Sequence, residues 1–193
     1  MDLTQGTSQE KKARSKKMML WFGIISMVMS FAAWTSAYIV SSERDDWLTD
    51  FSLPDAFLYS VGIIVLSSFT LILAKQQLKQ SKTQNTTILL LITFLLGVAF
   101  IYNQFEGFAK IIELGYNFTG PTSNVTMSYV FLIAFVHILH VAVGLLCLLV
   151  VLVNHLRGKY SANQMLGLEL AANFWHFVDI LWVYLFLFLY FYK

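Results

Sequence analysis

Five apolar runs, at about Met18–Val40, Ala56–Ala74, Thr87–Phe105, Met127–Val153 and Leu170–Tyr192, constrain this chain more than any other feature. A helix rising 1.5 Å per residue needs about 20 residues to cross about 30 Å of hydrocarbon, and each run is of that order. Membrane-crossing strands would be runs of about 10 residues with alternating polarity, and nothing here alternates. Of the 193 residues 58% are hydrophobic and 12% charged, whereas a soluble domain carries about 25% charge. The runs therefore predict an all-α membrane protein, a five-transmembrane-helix bundle. It forms a single domain over residues 18–193 with helices near 18–40, 56–74, 87–105, 127–153 and 170–192. Residues 1–17 are expected to be a polar, mobile cytoplasmic tail.

The basic lead-in "EKKARSKK" suits a signal peptide. The apolar run behind it is far longer than the 7–15 residues of a signal core, and it ends in the acidic "SSERDDW" without a small-residue cleavage site. It is read as an uncleaved helix. Lysine and arginine bias sets the expected orientation. Lys11, Lys12, Arg14, Lys16, Lys17, Lys75, Lys79, Lys82, Arg157 and Lys159 fall on one side, against Arg44, Lys110 and Lys193 on the other. The N-terminus is predicted inside and the C-terminus outside. A net charge of +2 is too small to argue for nucleic acid. Cys147 is the only cysteine, so an internal disulfide is excluded, and it is expected to be a small buried residue.

Inside the runs the ionisable residues are Glu106, His137, His140, His176 and Asp179, with Glu169 at an interface. Each is costly in hydrocarbon and should face protein, water or a partner group. At 100° per residue Glu169, Asn173, His176 and Asp179 share one arc of the last helix, with Trp175 and Trp182 beside Asp179. His137, His140 and Gly144 share a face of the fourth. The two helices run oppositely, and Asp179 and His140 fall within about 6 Å in depth, which predicts an Asp179–His140 contact. Such a pair would glue the helices together, with lipid headgroup or partner-subunit contact as the other reading.

The same depths argue against haem held by this chain, because no two histidines face each other at one level across helices. A zinc or copper site would need three or four convergent ligands. Glycine-rich phosphate loops, G-x-S-x-G and a buried lysine are all missing from the sequence. Prolines occur only at Pro54 and Pro121, in loops, unlike the broken helices of transporters. Gln104 and Glu106 read as an interfacial helix end.

Two segments carry a family resemblance. "FVHILHVAVGLL" and, after a basic loop, "GLELAANFWHFVDILWVYLFLFLY" resemble the C-terminal half of subunit III of haem–copper oxidases. The family's pattern there is H-x-x-H-V-x-x-G, a glutamate, then W-H-F-V-D-x-x-W. It is carried here by His137, His140, Val141, Gly144, Glu169, Trp175, His176, Phe177, Val178, Asp179 and Trp182. "FAAWTSAY" in the first helix is similar to F-A-G-x-x-x-A-Y, and Ser26 and Gln104 fit the family's S-E and Q-x-x-E-W patterns. Two positions depart: the helix 1 glutamate is Met27 here, and the glutamate of Q-x-x-E-W falls on Gly107, with Glu106 one place earlier. The helix 1 carboxylate of the family pattern is thus missing at Met27, and the one-residue offset turns Glu106 about 100° around its helix from the position of the pattern's glutamate.

The resemblance implies the five-helix form of subunit III of a proton-pumping cytochrome c oxidase in the respiratory chain of a bacterial cytoplasmic (inner) membrane. Haem and copper would sit in partner subunits, leaving no catalytic residue, metal ligand or cofactor on this chain. Subunit I would be the main contact, with subunit II, a small subunit IV and a larger respiratory supercomplex as further neighbours. Bound phospholipid is expected. His137, His140, Gly144, Glu169, Trp175, His176, Asp179 and Trp182 would be structural or lipid-contacting, and Arg157 a headgroup candidate. Subunit III of a quinol oxidase is the nearest alternative. A small proton-conducting transporter and a haem-bearing anchor are remoter ones.

Overall fold

The computed structural model of the chain describes residues 7–48, 51–120, 123–161 and 164–192. Residues 1–6 of the expected tail, Pro121 and Lys193 lie outside them. The described residues form five helices, α1 (Ser8–Ser41), α2 (Asp55–Lys79), α3 (Thr83–Glu113), α4 (Val125–Leu156) and α5 (Leu166–Phe191). Each is long and apolar enough to cross a membrane. Among the described residues there is no strand, only two isolated bridges at Asn117–Ser123 and Ser161–Gln164.

All five helices begin before the apolar stretches that announce them, and all but α5 also run past their ends. Hydropathy marks the part of a helix suited to hydrocarbon, whereas capping chemistry decides where it ends. α1 shows this best. Thr7 and Glu10 form a capping box, Thr7 N–H to Glu10 Oε2 at 2.8 Å and Glu10 N–H to Thr7 Oγ1 at 3.3 Å. Residues 8–17 are therefore helical, and α1 runs for about 51 Å at 1.5 Å per residue. α3 likewise continues through Phe108 to Glu113, past the end expected near Phe105. Asn124 caps α4 by accepting from Thr126 N–H at 2.8 Å. Gly158, at φ +69°, closes α4 with its N–H on His155 O at 2.9 Å, a backbone shape that costs glycine little.

α2, α3, α4 and α5 pack as a closed ring, each touching the next and α5 returning to α2. α1 stands outside the ring and packs on α4 and α5 alone. Its one well-buried seam is Ile24, Phe31, Thr35 and Tyr38. The connection after α1 folds back over the end of the ring. Trp47 lies edge-on to Tyr38 with ring centres 4.8 Å apart, Leu48 N–H donates to Thr126 Oγ1 at 3.0 Å, and Asn124 Nδ2 donates to Asp46 O at 3.2 Å. At its tip Arg44 Nε donates to Asp46 Oδ1 at 2.8 Å and holds that carboxyl below its ordinary range.

Lipid tails are as apolar as leucine, so apolar side chains alone give such helices little reason to associate. Close packing and interhelical hydrogen bonds do that work. Both converge where α5 meets α2, α3 and α4.

Candidate functional site: a polar seam inside the bundle

Three serines of α2 accept or share hydrogen bonds with α5. Ser60 and Ser67 are seven residues apart and lie on the buried face, and Ser68 flanks Ser67. Ser60 Oγ donates to Phe57 O at 2.6 Å within its own helix. It accepts from Trp182 Nε1 at 3.0 Å and from Gln104 Nε2 of α3 at 2.9 Å. One hydroxyl thus joins three helices, and Ser60, Gln104 and Trp182 are all but fully buried. Two turns along, Ser67 Oγ accepts from Trp175 Nε1 at 3.0 Å. Ser68 Oγ donates to Asp179 Oδ2 at 2.5 Å and lies 2.7 Å from His176 Nδ1. Thr70 and Thr93 hydroxyls meet at 2.8 Å between α2 and α3.

Size matters as much as polarity at Trp175. A Cβ added at Gly97 of α3 would come 2.7 Å from Trp175 Cη2 and 2.7 Å from Leu145 Cδ2. One added at Gly144 of α4 would come 2.9 Å from Trp175 Cε3. The indole therefore fills a slot that only two glycines leave open, with its N–H on Ser67. His137 of α4 is fully buried. Its Nε2–H donates to Val178 O at 3.1 Å, and its ring stacks on Trp182 with centres 4.9 Å apart. Phe31 and Phe100 close the edges of that imidazole.

The expected Asp179–His140 pair is not formed. Asp179 turns to α2 and takes the hydroxyl of Ser68, while His140 Nδ1–H bonds Val136 O, one turn back on its own helix, at 2.8 Å. His140 lies against Phe31 of α1 instead, ring centres 5.6 Å apart. Matching depth placed the two at one level but said nothing about azimuth. The buried face of α5 at Asp179 looks toward α2, and a serine there is an adequate donor.

Other residues fall apart from the seam. Glu169 pairs with Lys17 of α1 at 3.3 Å. Arg157 is the exposed C-cap of α4. Gln104, read as a helix end, is a buried member of the seam, whereas Glu106 is exposed and 3.8 Å from Lys110. The Phe57 ring would lie 2.9 Å from a Cβ at Gly107, so that position is shaped for glycine. Met27 offers a half-buried thioether where the family pattern has a carboxylate. Cys147 is exposed, not buried. It lines an apolar cavity of about 580 Å³ between α1, α4 and α5, among Met19, Val143, Leu146, Val150 and Leu170, with Lys16 and Tyr160 at one end.

Sequence reading missed Ser60, Ser67 and Ser68, which act as the seam's acceptors and donors. Their signal was present: hydroxyls seven and eight residues apart in an otherwise apolar run share one helical face. Among the described residues no three His, Cys, Asp or Glu side chains converge as a metal site. Chemically, the seam is a set of interhelical hydrogen bonds that locks four helices in register, with Gln104 Oε1, His137 Nδ1 and Asp179 Oδ1 left buried without a partner among the described residues.

A family model described as "Cytochrome c oxidase subunit III" matches residues 4–193. The chain is 32% identical over 134 residues to cytochrome c oxidase subunit 3 of Loxodonta africana, covering 69% of this chain and 49% of that protein. It is 31% identical over 160 residues to the same-named protein of Drosophila yakuba, covering 82% and 55%. It is also 33% identical over 129 residues to cytochrome bo(3) ubiquinol oxidase subunit 3 of Buchnera aphidicola, covering 66% and 64%. The match thus spans about half the length of the first two relatives.

Proposed function

This chain belongs to the cytochrome c oxidase subunit III family, and from that premise we propose that it is the non-catalytic third subunit of a proton-pumping oxidase. It packs on the haem–copper subunit, holds phospholipid and sustains proton uptake and the integrity of the complex. Its place is the cytoplasmic membrane of a bacterium, N-terminus inside. Subunit II and a small fourth subunit are its further neighbours. The redox groups belong to the partners.

One observation carries this reading: the family's polar motif residues are spent on packing. Trp175, Trp182, His137 and Asp179 hydrogen-bond serine hydroxyls or a backbone carbonyl within the bundle. Each of the four histidines has a ring nitrogen engaged in this way. That is scaffold chemistry, which suits a subunit that stabilises others. The apolar cavity between α1, α4 and α5, with Lys16 at one end, supports lipid binding, since its walls match an acyl chain and its cation a phosphate.

The test compares the oxidase purified with and without this chain. The expected outcome is equal haem and copper content per catalytic subunit, with faster loss of activity during turnover when the chain is missing. Haem or copper lost in proportion to the chain would contradict the proposal. The Buchnera relative favours one second reading, subunit III of a quinol oxidase; turnover with quinol in place of reduced cytochrome c decides between them.

A further inference from the structure

At one crossing of α2 and α5 two titratable side chains share a single hydroxyl. Ser68 Oγ lies 2.5 Å from Asp179 Oδ2 and 2.7 Å from His176 Nδ1. Among the described residues Asp179 and His176 form no direct ion pair, so the hydroxyl is the bridge between them. The other side-chain contacts of the seam join neutral groups: serine with tryptophan and glutamine, threonine with threonine. Packing is met there without a group that can ionise. Asp179 is 3% exposed and its Oδ1 has no protein partner among the described residues, whereas His176 is only half-buried.

Counted from Leu170, where the apolar run begins, His176 lies about 9 Å and Asp179 about 14 Å along α5. Glu169, half-buried, and Asn173, exposed, lead up to them along the same arc of the helix. The charged groups that face this place are few. Lys75 of α2 is within electrostatic reach of His176 but stands seven residues from Ser68, about 10 Å along the helix. α4 brings His137, whose Nε2–H takes Val178 O, and His140, turned to Val136 O. α3 carries no ionisable side chain between Thr83 and Ile101, and α1 none between Met18 and Ala37; Lys17 of α1 is paired with Glu169. A carboxylate at Asp179 would be a lone charge with one hydrogen bond, far costlier to bury than a neutral acid.

We infer that Asp179, Ser68 and His176 form a proton-binding site, in which Asp179 holds a hydrogen ion as a neutral acid and exchanges it with water through the hydroxyl and the half-exposed imidazole. On uptake, a hydronium ion of the surface water gives its proton to Nε2 of a His176 ring that carries hydrogen on Nδ1. The Nδ1–H bond breaks as that hydrogen passes to Ser68 Oγ, and the serine's own hydrogen forms the new bond to Asp179 Oδ2. The imidazole ends neutral with its hydrogen on Nε2, the serine is whole, and the carboxylate has become an acid. Release runs in reverse. The Ser68 O–H points to Asp179 before the transfer and to His176 after it, and the two distances suit both directions. The site belongs to this chain's own side chains and holds whether or not the chain joins an oxidase, which the haem of co-purified subunits reports separately.

The test reads the Asp179 carboxyl by infrared spectroscopy on the full chain, in the complex it purifies with, at neutral pH. The native spectrum is expected to contain one protonated-carboxyl C=O band that Asp179→Asn removes; the asparagine can still accept from Ser68, so the fold is kept. Transfer to D2O should shift that band as the acid exchanges. Ser68→Ala is expected to slow the shift about 100-fold, the low end of what a positioned proton-transfer group contributes, and His176→Gln to slow it similarly. Ser68→Thr, which keeps a hydroxyl, should restore the native rate. A role in packing alone would change stability and leave the exchange rate where it was. Acid bands untouched by Asp179→Asn would show the residue ionised and overturn the inference. So would exchange at the native rate in Ser68→Ala or His176→Gln, or a Ser68→Thr chain as slow as Ser68→Ala.

Discussion

Trp182 Nε1 of α5 reaches Ser60 Oγ of α2 across the bundle at 3.0 Å, and the same oxygen takes Gln104 Nε2 of α3 at 2.9 Å. A serine hydroxyl has one proton and two lone pairs. Ser60 spends the proton on Phe57 O and both lone pairs on its neighbours. The atom is saturated, so its loss is felt by three helices at once.

Ser60→Ala should therefore destabilise the chain by about 1–2 kcal/mol, since it strands two buried donors. Resistance of the folded chain to denaturing detergent measures this. Trp182→Phe in the Ser60→Ala background should add less than it does alone, because the two share one bond.

The glycine slot around Trp175 gives a steric counterpart. Gly144→Leu and Gly97→Val would each drive a side chain into the indole, with a cost of about 1–3 kcal/mol expected of overpacking. Gly62→Ala is the control, as a Cβ there meets nothing within 4 Å. Thermal inactivation midpoints should fall for the first two and stay level or rise for the third.

Asp179 and His140 should behave as independent sites. A double-mutant cycle of Asp179→Leu with His140→Leu is expected to be additive within about 0.5 kcal/mol. The cycle of Asp179→Leu with Ser68→Ala should show coupling of about 1 kcal/mol, since those two share a hydrogen bond. Asp179→Asn should be well tolerated, as its amide oxygen still accepts from Ser68. Coupling to His140 in place of Ser68 would restore the pairing across α4 and α5.

The Lys17–Glu169 pair contributes little. Both side chains are well hydrated, at 51% and 29% exposure, and surface pairs are worth about 0–1 kcal/mol and are screened by salt. Glu169→Gln should leave stability unchanged within that range, measured at low and at physiological ionic strength.

Cys147 offers a chemical check on the cavity between α1, α4 and α5. A membrane-permeant maleimide should modify it in the native chain, because its thiol is exposed. Added phospholipid should slow the reaction if an acyl chain fills that space. Protection of the thiol until the chain is unfolded would show it buried.

The membrane fold was legible because it depends on hydropathy and length, which five runs display openly. Helix ends were not, since Thr7 and Glu10, Asn124 and Gly158 act through local backbone geometry that hydropathy does not record. At the seam, sequence singled out the rare groups, His137, Trp175, Asp179 and Trp182, because they are conspicuous among leucines. It missed the serines that partner Trp175, Asp179 and Trp182, because a hydroxyl in a membrane helix can bond its own backbone and leaves no mark in composition. The Asp179–His140 error has the same root: depth follows from counting residues, whereas azimuth between helices follows from packing. Gly97 and Gly107 became informative only once Trp175 and Phe57 were seen against them.

The most direct test tags this chain, extracts it in a mild detergent and records a reduced-minus-oxidised spectrum of what accompanies it. Haem bands of a haem–copper oxidase, together with its larger subunits in fixed ratio to the chain, are expected. A folded chain that emerges alone and colourless would contradict the oxidase assignment, and proton flux through the isolated chain would become the question to ask.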